Sequence, residues 1–283
     1  MRFLERNNDK DLSLEVVFLN YLAKCDEKGQ AFSTINGKKT AISQAYLYRA
    51  GQKLSRSVLV QAIMKGIYRK KPPEAKYEKT YDIKVLLKHI KKMGRNEDMP
   101  LKWLRVKTMS LMMMAMLMGA SDLHALKFPP EKTTDMRITF VGVQTMKNQG
   151  RHKMRPLYME RVGNEDNLLC PVRSFLSYLD RSGRHSSSVR IFVDLASEHK
   201  DISPDRISNQ VSELLHDAGI EDFFTSHLIK MATASKLVEL GVPIDEIMAL
   251  GRRSSKSVFQ NFYNRALMKR NMFEMLASLF DSQ

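Results

Sequence analysis

A pair of adjacent prolines constrains this chain more than any other feature. Pro72 and Pro73 follow the basic run Arg69-Lys70-Lys71. Neither proline can donate a backbone hydrogen bond, and the second disfavours helical backbone at the first, so no helix runs through the pair. The segment from Arg69 to Tyr77 therefore reads as a linker, dividing the chain into 1–76 and 77–283. Its charge suits a path along a polyanion backbone, and a solvated hinge is the equal alternative from composition.

On the N-terminal side the pattern is helical throughout. Leu14, Val17, Phe18, Tyr21 and Leu22 follow a 3.6-residue period within a helix expected over Leu12 to Ala23. Thr40 to Gly51 and Ser57 to Tyr68 repeat it, with Gly51 placed as a helix stop. Beyond the linker, helices are expected at Tyr81 to Met93, Leu101 to Met118 and Ser121 to Lys127. Met136 to Met146 and Lys153 to Met159 read as strands joined by a turn at Asn148, Gln149 and Gly150, a β-hairpin. Pro171 to Leu179 reads as a helix and Val189 to Asp194 as a short strand. Helices resume at Pro204 to Ala218, Thr225 to Leu240, Pro243 to Leu250, Lys256 to Tyr263 and Leu267 to Phe280. The expected class is mainly α, a small helical domain before a helical domain with a small antiparallel sheet.

Charge narrows the partner. The 283 residues hold 46 Lys and Arg against 31 Asp and Glu, a formal charge of +15. The excess runs along the whole chain, so it describes a basic folded surface that attracts polyanions, nucleic acid before anionic membrane. The longest apolar run, Leu111 to Met118, is 8 residues, far short of the ~20 that span a bilayer. It reads as a buried core helix. The N-terminus carries charge within its first residues and has no apolar core, so no secretory signal is expected. Cys25 and Cys170 lack metal-ligand spacing, no His/Cys cluster supports zinc, and no cofactor or small-molecule substrate is indicated. The expected setting is intracellular and reducing, nuclear in a eukaryote.

Met64 to Pro73, Lys79 to Leu87, Leu169 to Arg173 and Ser254 to Tyr263 stand in an ordered series, and that series resembles the tyrosine recombinases, the phage-integrase-like family, and within them the integrases of DIRS-like retrotransposons. Met64 to Pro73 resembles the end of that family's N-terminal domain, and Lys79 to Leu87 the first helix of its catalytic domain. Leu169-Cys170-Pro171-Val172-Arg173 with Tyr178-Leu179, His227 with Lys230, Gly241 to Leu250, and Ser254 to Tyr263 continue the match in order from about residue 38 to 266. The resemblance implies a SAM-like, core-binding helical domain ahead of a recombinase catalytic-type domain.

It also implies a chemistry. In that family a tyrosine attacks the scissile phosphate, two arginines neutralise the non-bridging oxygens, and a hairpin lysine protonates the leaving 5′-oxygen. A His or Trp completes the pocket, and no metal is needed because cationic side chains supply the stabilisation. Carried onto this chain, the resemblance sets Tyr263 at the nucleophile, with a packed aromatic beside Phe259 and Phe262 as the plainer reading. His227 matches the histidine of the His-x-x-Arg box, while Lys230 takes its arginine position. Lysine keeps the charge and loses the planar fork that grips two phosphate oxygens. Gly119, ahead of Ser121-Asp122-Leu123, stands where the first arginine belongs, and Arg253, with Arg252 beside it, stands where a His or Trp belongs. Either Lys147 or Thr145 falls at the hairpin lysine position.

The expected catalytic set, Tyr263, His227, Lys230, Lys147 and Arg253, is thus degenerate. Removing one preorganised donor slows such chemistry by roughly 10²–10³. Binding survives such losses. The expected partner is double-stranded DNA, with phosphate contacts from Arg49, Lys53, Arg56, Arg69, Lys70, Lys71, Arg151, Lys153, Arg155 and Arg252. The stripe Met268, Met272, Met275, Leu276, Leu279 and Phe280 packs on its own core or makes a homo-oligomer through residues 267–280. Two other readings follow from the same residues: a working recombinase that forms a 3′-phosphotyrosyl intermediate at Tyr263, and a non-catalytic assembly protein.

Overall fold

A computed structural model describes residues 13–51, 53–72, 80–142, 157–163, 167–183, 188–195, 200–221 and 224–251. The chain divides into two compact units, Met1–Tyr77 and Glu78–Gln283.

The first unit contains α1 (Leu14–Glu27), α2 (Phe32–Ala50), a 3-10 turn at Leu54–Arg56 and α3 (Val58–Lys70). Ser13 caps α1 by accepting from the Val16 N–H, and Ser57 caps α3 by accepting from Leu59 and Val60. Each cap satisfies donors that a helix start leaves unpaired. Ser57 Oγ in turn bonds the Glu15 carboxylate, tying the starts of α1 and α3 together. Phe18, Leu22, Cys25, Ile35, Val60, Met64 and Ile67 form the core, each full burial of a large apolar side chain contributing about 1.5–3 kcal/mol. Helix α2 begins at Phe32, eight positions before the expected Thr40. Polar residues surround Ile35 there and blur the period, yet Ile35 is fully buried and draws the segment into the helix. Gly51 ends α2 at φ 69, the left-handed conformation that glycine adopts without strain.

The second unit is built around α5 (Leu101–Ala115), whose residues from Leu104 to Met114 are all buried. Before it lies α4 (Ile83–Lys92), capped by Asp82. After it come α6 (Ala120–His124), the strands β1 (Lys132–Thr133), β2 (Arg137–Phe140) and β3 (Leu157–Glu160), and α7 (Pro171–Arg181). Helices α8 (Pro204–Asp217), α9 (His227–Glu239) and α10 (Ile244–Leu250) follow. Thr108 Oγ1 on α5 donates to the Ser174 carbonyl on α7 at 3.1 Å, and the two hydroxyls lie 2.7 Å apart, so small polar side chains bring these helices together.

The sheet is antiparallel in the order β1-β2-β3, with Arg137 opposite Glu160 and Phe140 opposite Leu157. Ile138, Phe140, Leu157 and Met159 face the core, and Phe140 meets the Phe175 ring of α7 edge-on at 5.5 Å. On the outer face Arg137 pairs with Glu160 and lies over the Tyr158 ring at 4.7 Å. The β2–β3 pair agrees with the expected hairpin, whose turn lies outside the described residues. Strand β1 is an addition. Two exposed polar residues leave no alternation to read.

Val189 to Asp194 is not the strand its composition suggests. It makes single bridges, Lys127 with Arg190 and Val193 with Asp201. Ile191, Phe192 and Val193 are consecutive and all buried, so this is a core-filling crossing rather than a ladder. Helix α5 also stops short of Met118. Leu117 sits at φ 47, its N–H bonded to the Met114 carbonyl and that of Met118 to Met113, the two bonds of a Schellman stop. The expected helices Lys256 to Tyr263 and Leu267 to Phe280 lie outside the described residues.

Candidate functional site

Gly119 starts α6, with its N–H donating to the Asp122 carboxylate at 3.2 Å. Its backbone is extended, φ −96 and ψ 173, a conformation open to any residue. Among the described residues a Cβ placed there meets only Asp122 Oδ2, at 3.9 Å. Neither turn geometry nor packing against those residues therefore demands a glycine.

Leu117, two residues earlier, carries the strain. Left-handed backbone costs a β-carbon-bearing residue about 1–2 kcal/mol. The offset is burial: Leu117 is 1% exposed and packs with Ala234 of α9 and Ile247 of α10. The turn into Gly119 is thus held against α9, which carries His227 and Lys230, and against α10.

His227 is the first residue of α9 and is exposed. Its placement comes from the residue before it. Ser226 is fully buried, its hydroxyl 2.7 Å from that of Ser208, and its N–H donates to Ser212 Oγ at 3.2 Å. Ser208 and Ser212 are one turn apart on α8, so α8 fixes the start of α9. This clamp escapes motif reading, although two serines at i and i+4 facing an apolar helix start are its signature.

Lys230 lies one turn after His227 and is half-buried. Its Nζ donates to the Gly251 carbonyl at 3.0 Å, at the end of α10. A cation there is favoured by the helix dipole and satisfies a terminal carbonyl. A Cβ on Gly251 would lie 3.2 Å from the Ile247 carbonyl, a tight contact, and 3.6 Å from Lys230 Cε, an ordinary one. The structure thus brings Lys230, Leu117 and Gly251 together, with Gly119 two residues from Leu117 and His227 one turn from Lys230.

His124, at the end of α6, was not among the expected site residues. It is half-buried, and burial, reinforced by Arg190, pushes its pKa below the usual imidazole value. Its carbonyl accepts from Arg190 Nη1 at 3.1 Å.

Among the expected phosphate contacts, Arg49, Lys53, Arg56, Arg69, Lys70 and Lys71 are exposed on the first unit. Lys70 pairs with Asp26 at 2.9 Å, a surface pair worth about 0–1 kcal/mol. Lys147, Thr145, Arg151, Lys153, Arg155, Arg252, Arg253 and Tyr263 lie outside the described residues. Among those described, no cluster of His, Cys, Asp or Glu is placed to hold a metal, and no helix is long and apolar enough to cross a membrane.

No protein-family model matches the chain, and no curated protein matches its sequence. Solved structures do. The integrase of the Tn1549 transposon, in complex with transposon right end DNA, aligns over 96% of this chain and 90% of its own, at 11% identity and a TM-score of 0.61. The XerH site-specific recombinase, bound to a palindromic difH substrate in a post-cleavage complex, aligns over 99% and 76%, at 14% identity and a TM-score of 0.62. A lambda integrase dimer bound to a COC′ core site aligns over 93% and 83%, at 14% identity and a TM-score of 0.52. The chain has the tyrosine-recombinase fold, mainly helical with a small antiparallel sheet.

Proposed function

We propose that this protein binds duplex DNA and is impaired in strand transfer. The observation that carries the reading is charge on this fold. A formal +15 is spread over a chain that matches, along nearly its whole length, proteins solved in complex with DNA. Exposed Arg49, Lys53 and Arg56 sit around the turn that joins α2 to α3, on the first unit. Impairment is read from Gly119, which offers no cation, and from Lys230, whose ammonium is engaged by a backbone carbonyl. Tyr263 and His227 would then remain as nucleophile and partner without the charge that makes them effective. A former mobile-element integrase, related to the DIRS-like group and kept as an architectural or regulatory factor, fits this state. In a eukaryote its place is the nucleus, and the stripe within 267–280 is the proposed contact between copies.

Binding to a labelled duplex, followed between 50 and 200 mM salt, tests the first half. The expected result is an affinity that falls steeply with salt, about 0.9 log unit per log unit of salt for each phosphate engaged. No binding at low salt sinks it. A nicked suicide duplex tests the second half: covalent adduct should form at least about 10²-fold more slowly than in an intact recombinase. Rapid adduct that disappears in Tyr263→Phe would establish the active reading instead. Size measurement with and without DNA, on the full chain and on one ending after Asn264, addresses assembly.

A further inference from the structure

Cys25 stands in the last turn of α1, and polar side chains gather on its thiol. Lys38, thirteen positions on and in the second turn of α2, brings Nζ to 4.0 Å from Cys25 Sγ. The same Nζ donates to Gln30 Oε1 at 2.8 Å and lies 5.9 Å from the centre of the Tyr21 ring. Tyr21, one turn before Cys25, shares a side-chain hydrogen bond with the thiol. Gln30 and Tyr21 thus hold the lysine amine beside the sulfur. Every residue from Tyr21 to Lys38 is described, and all of them belong to the first unit.

The thiol is within reach of a small reagent. Cys25 is 4% exposed, while Tyr21, Gln30 and Lys38 are half-buried, so the cluster sits at the margin of the first unit's core. Cys25 also lies two residues from the end of α1 at Glu27, and helix ends open locally at little free-energy cost. An amine held at contact distance from a sulfur is a nucleophile waiting for that sulfur to become electrophilic. Holding the two together makes their reaction effectively unimolecular and correspondingly fast.

We propose that Cys25 and Lys38 form an oxidative modification site, at which hydrogen peroxide joins the thiol sulfur to the lysine nitrogen. Peroxide oxidises the thiol by two electrons to a sulfenic acid and is itself reduced to water. The Lys38 amine, in its uncharged form, then attacks the sulfur. The S–N bond forms as the S–O bond breaks, and the hydroxyl leaves as water with one of the amine hydrogens. Thiol, amine and one peroxide thus give the link and two waters. A sulfenic acid condenses with a backbone nitrogen in the same way. The link would fasten the last turn of α1 to the second turn of α2. Lys39, the next residue, points about 100° away around the helix and does not share this position. The inference is independent of the DNA-binding reading.

The test is brief peroxide treatment of the full chain, quenched with catalase and followed by mass spectrometry of the tryptic peptides. The expected product is a joined pair carrying Cys25 and Lys38, lighter by two hydrogens than the separate peptides and uncut after Lys38. A thiol reductant should split it, returning thiol and amine. Lys38→Arg should lose the joined pair and leave Cys25 to be captured as sulfenic acid by dimedone. Lys39→Arg should keep the pair. Cys25 left unmodified at a peroxide dose that oxidises Met136, which is 64% exposed, overturns the proposal. Sulfenic acid at Cys25 of the parent chain with no link to Lys38 overturns it as well. Both of these outcomes are read from the parent chain, so they stand even if Lys38→Arg fails to fold.

Discussion

Along α5 the first half buries Arg105 and Lys107 in the core, while past the last residue the chain turns through Leu117 to reach an uncharged Gly119. The two regions solve opposite problems. Lys107 is fully buried and donates to the Gly94 carbonyl at 3.0 Å, and burial pushes its pKa down to about 8. Burial also lowers that of Arg105. Both cations hold loops: Arg105 fixes the crossing at Val193, and Lys107 fixes the turn after α4. At the other end Gly119 carries no charge, and among the described residues a Cβ there meets only Asp122 Oδ2. The two buried cations of α5 thus organise loops.

Removing a loop-holding cation should have the largest effect. Arg105→Ala leaves the Val193 carbonyl unpaired and opens a void, and should cost about 3–5 kcal/mol in a urea titration. A loss below about 1 kcal/mol would dissolve the contrast between the two ends. Leu117→Gly comes next. It relieves left-handed strain but forfeits a buried leucine, for a net loss of about 1–3 kcal/mol. A more stable variant would mean that strain, not packing, dominates that turn.

Lys107 sharpens the comparison through pH. Its folded pKa of about 8 lies below the unfolded value, which is about 10.4. Between these values the unfolded chain binds more protons, so stability rises with pH and the penalty is fully present below pH 8. Compared with Lys107→Met, the protein should gain stability from pH 8 to 10, by no more than about 1.4 kcal/mol per unit. A flat difference between the two proteins would contradict a charged buried lysine. Gly119→Arg should have the smallest effect on folding, within about 0.5 kcal/mol. Its informative readout is the suicide duplex, where more adduct than in the parent chain would locate the missing charge. A large loss of stability would show that the position is not open to it.

Helix positions are legible in the sequence wherever one face is apolar. Phe18 and Leu22, or Ile207, Val211 and Leu214, recur at the helical period and are buried as that period requires. Boundaries drift where side chains compete weakly, as at the start of α2. The crossing at Ile191 to Val193 is illegible because a buried run of three apolar residues looks the same in a strand and in a loop through the core. For the candidate site, the family resemblance proposes His227 and Lys230, but what holds them is not legible. The Ser208–Ser226–Ser212 clamp joins residues 14 and 18 positions apart, and the Lys230–Gly251 bond spans 21. Pairings at that range depend on how helices stack, which local pattern does not encode. Nothing in the local pattern marks Arg105 and Lys107 as buried, for the same reason.

The conformation of Gly119 has a consequence for reversibility. Its extended backbone suits any residue, and among the described residues a Cβ there meets only Asp122 Oδ2, at 3.9 Å. Glycine and arginine codons differ by a single base. On the proposed reading residue 119 lost an arginine, and neither its backbone nor its described neighbours oppose a β-carbon there.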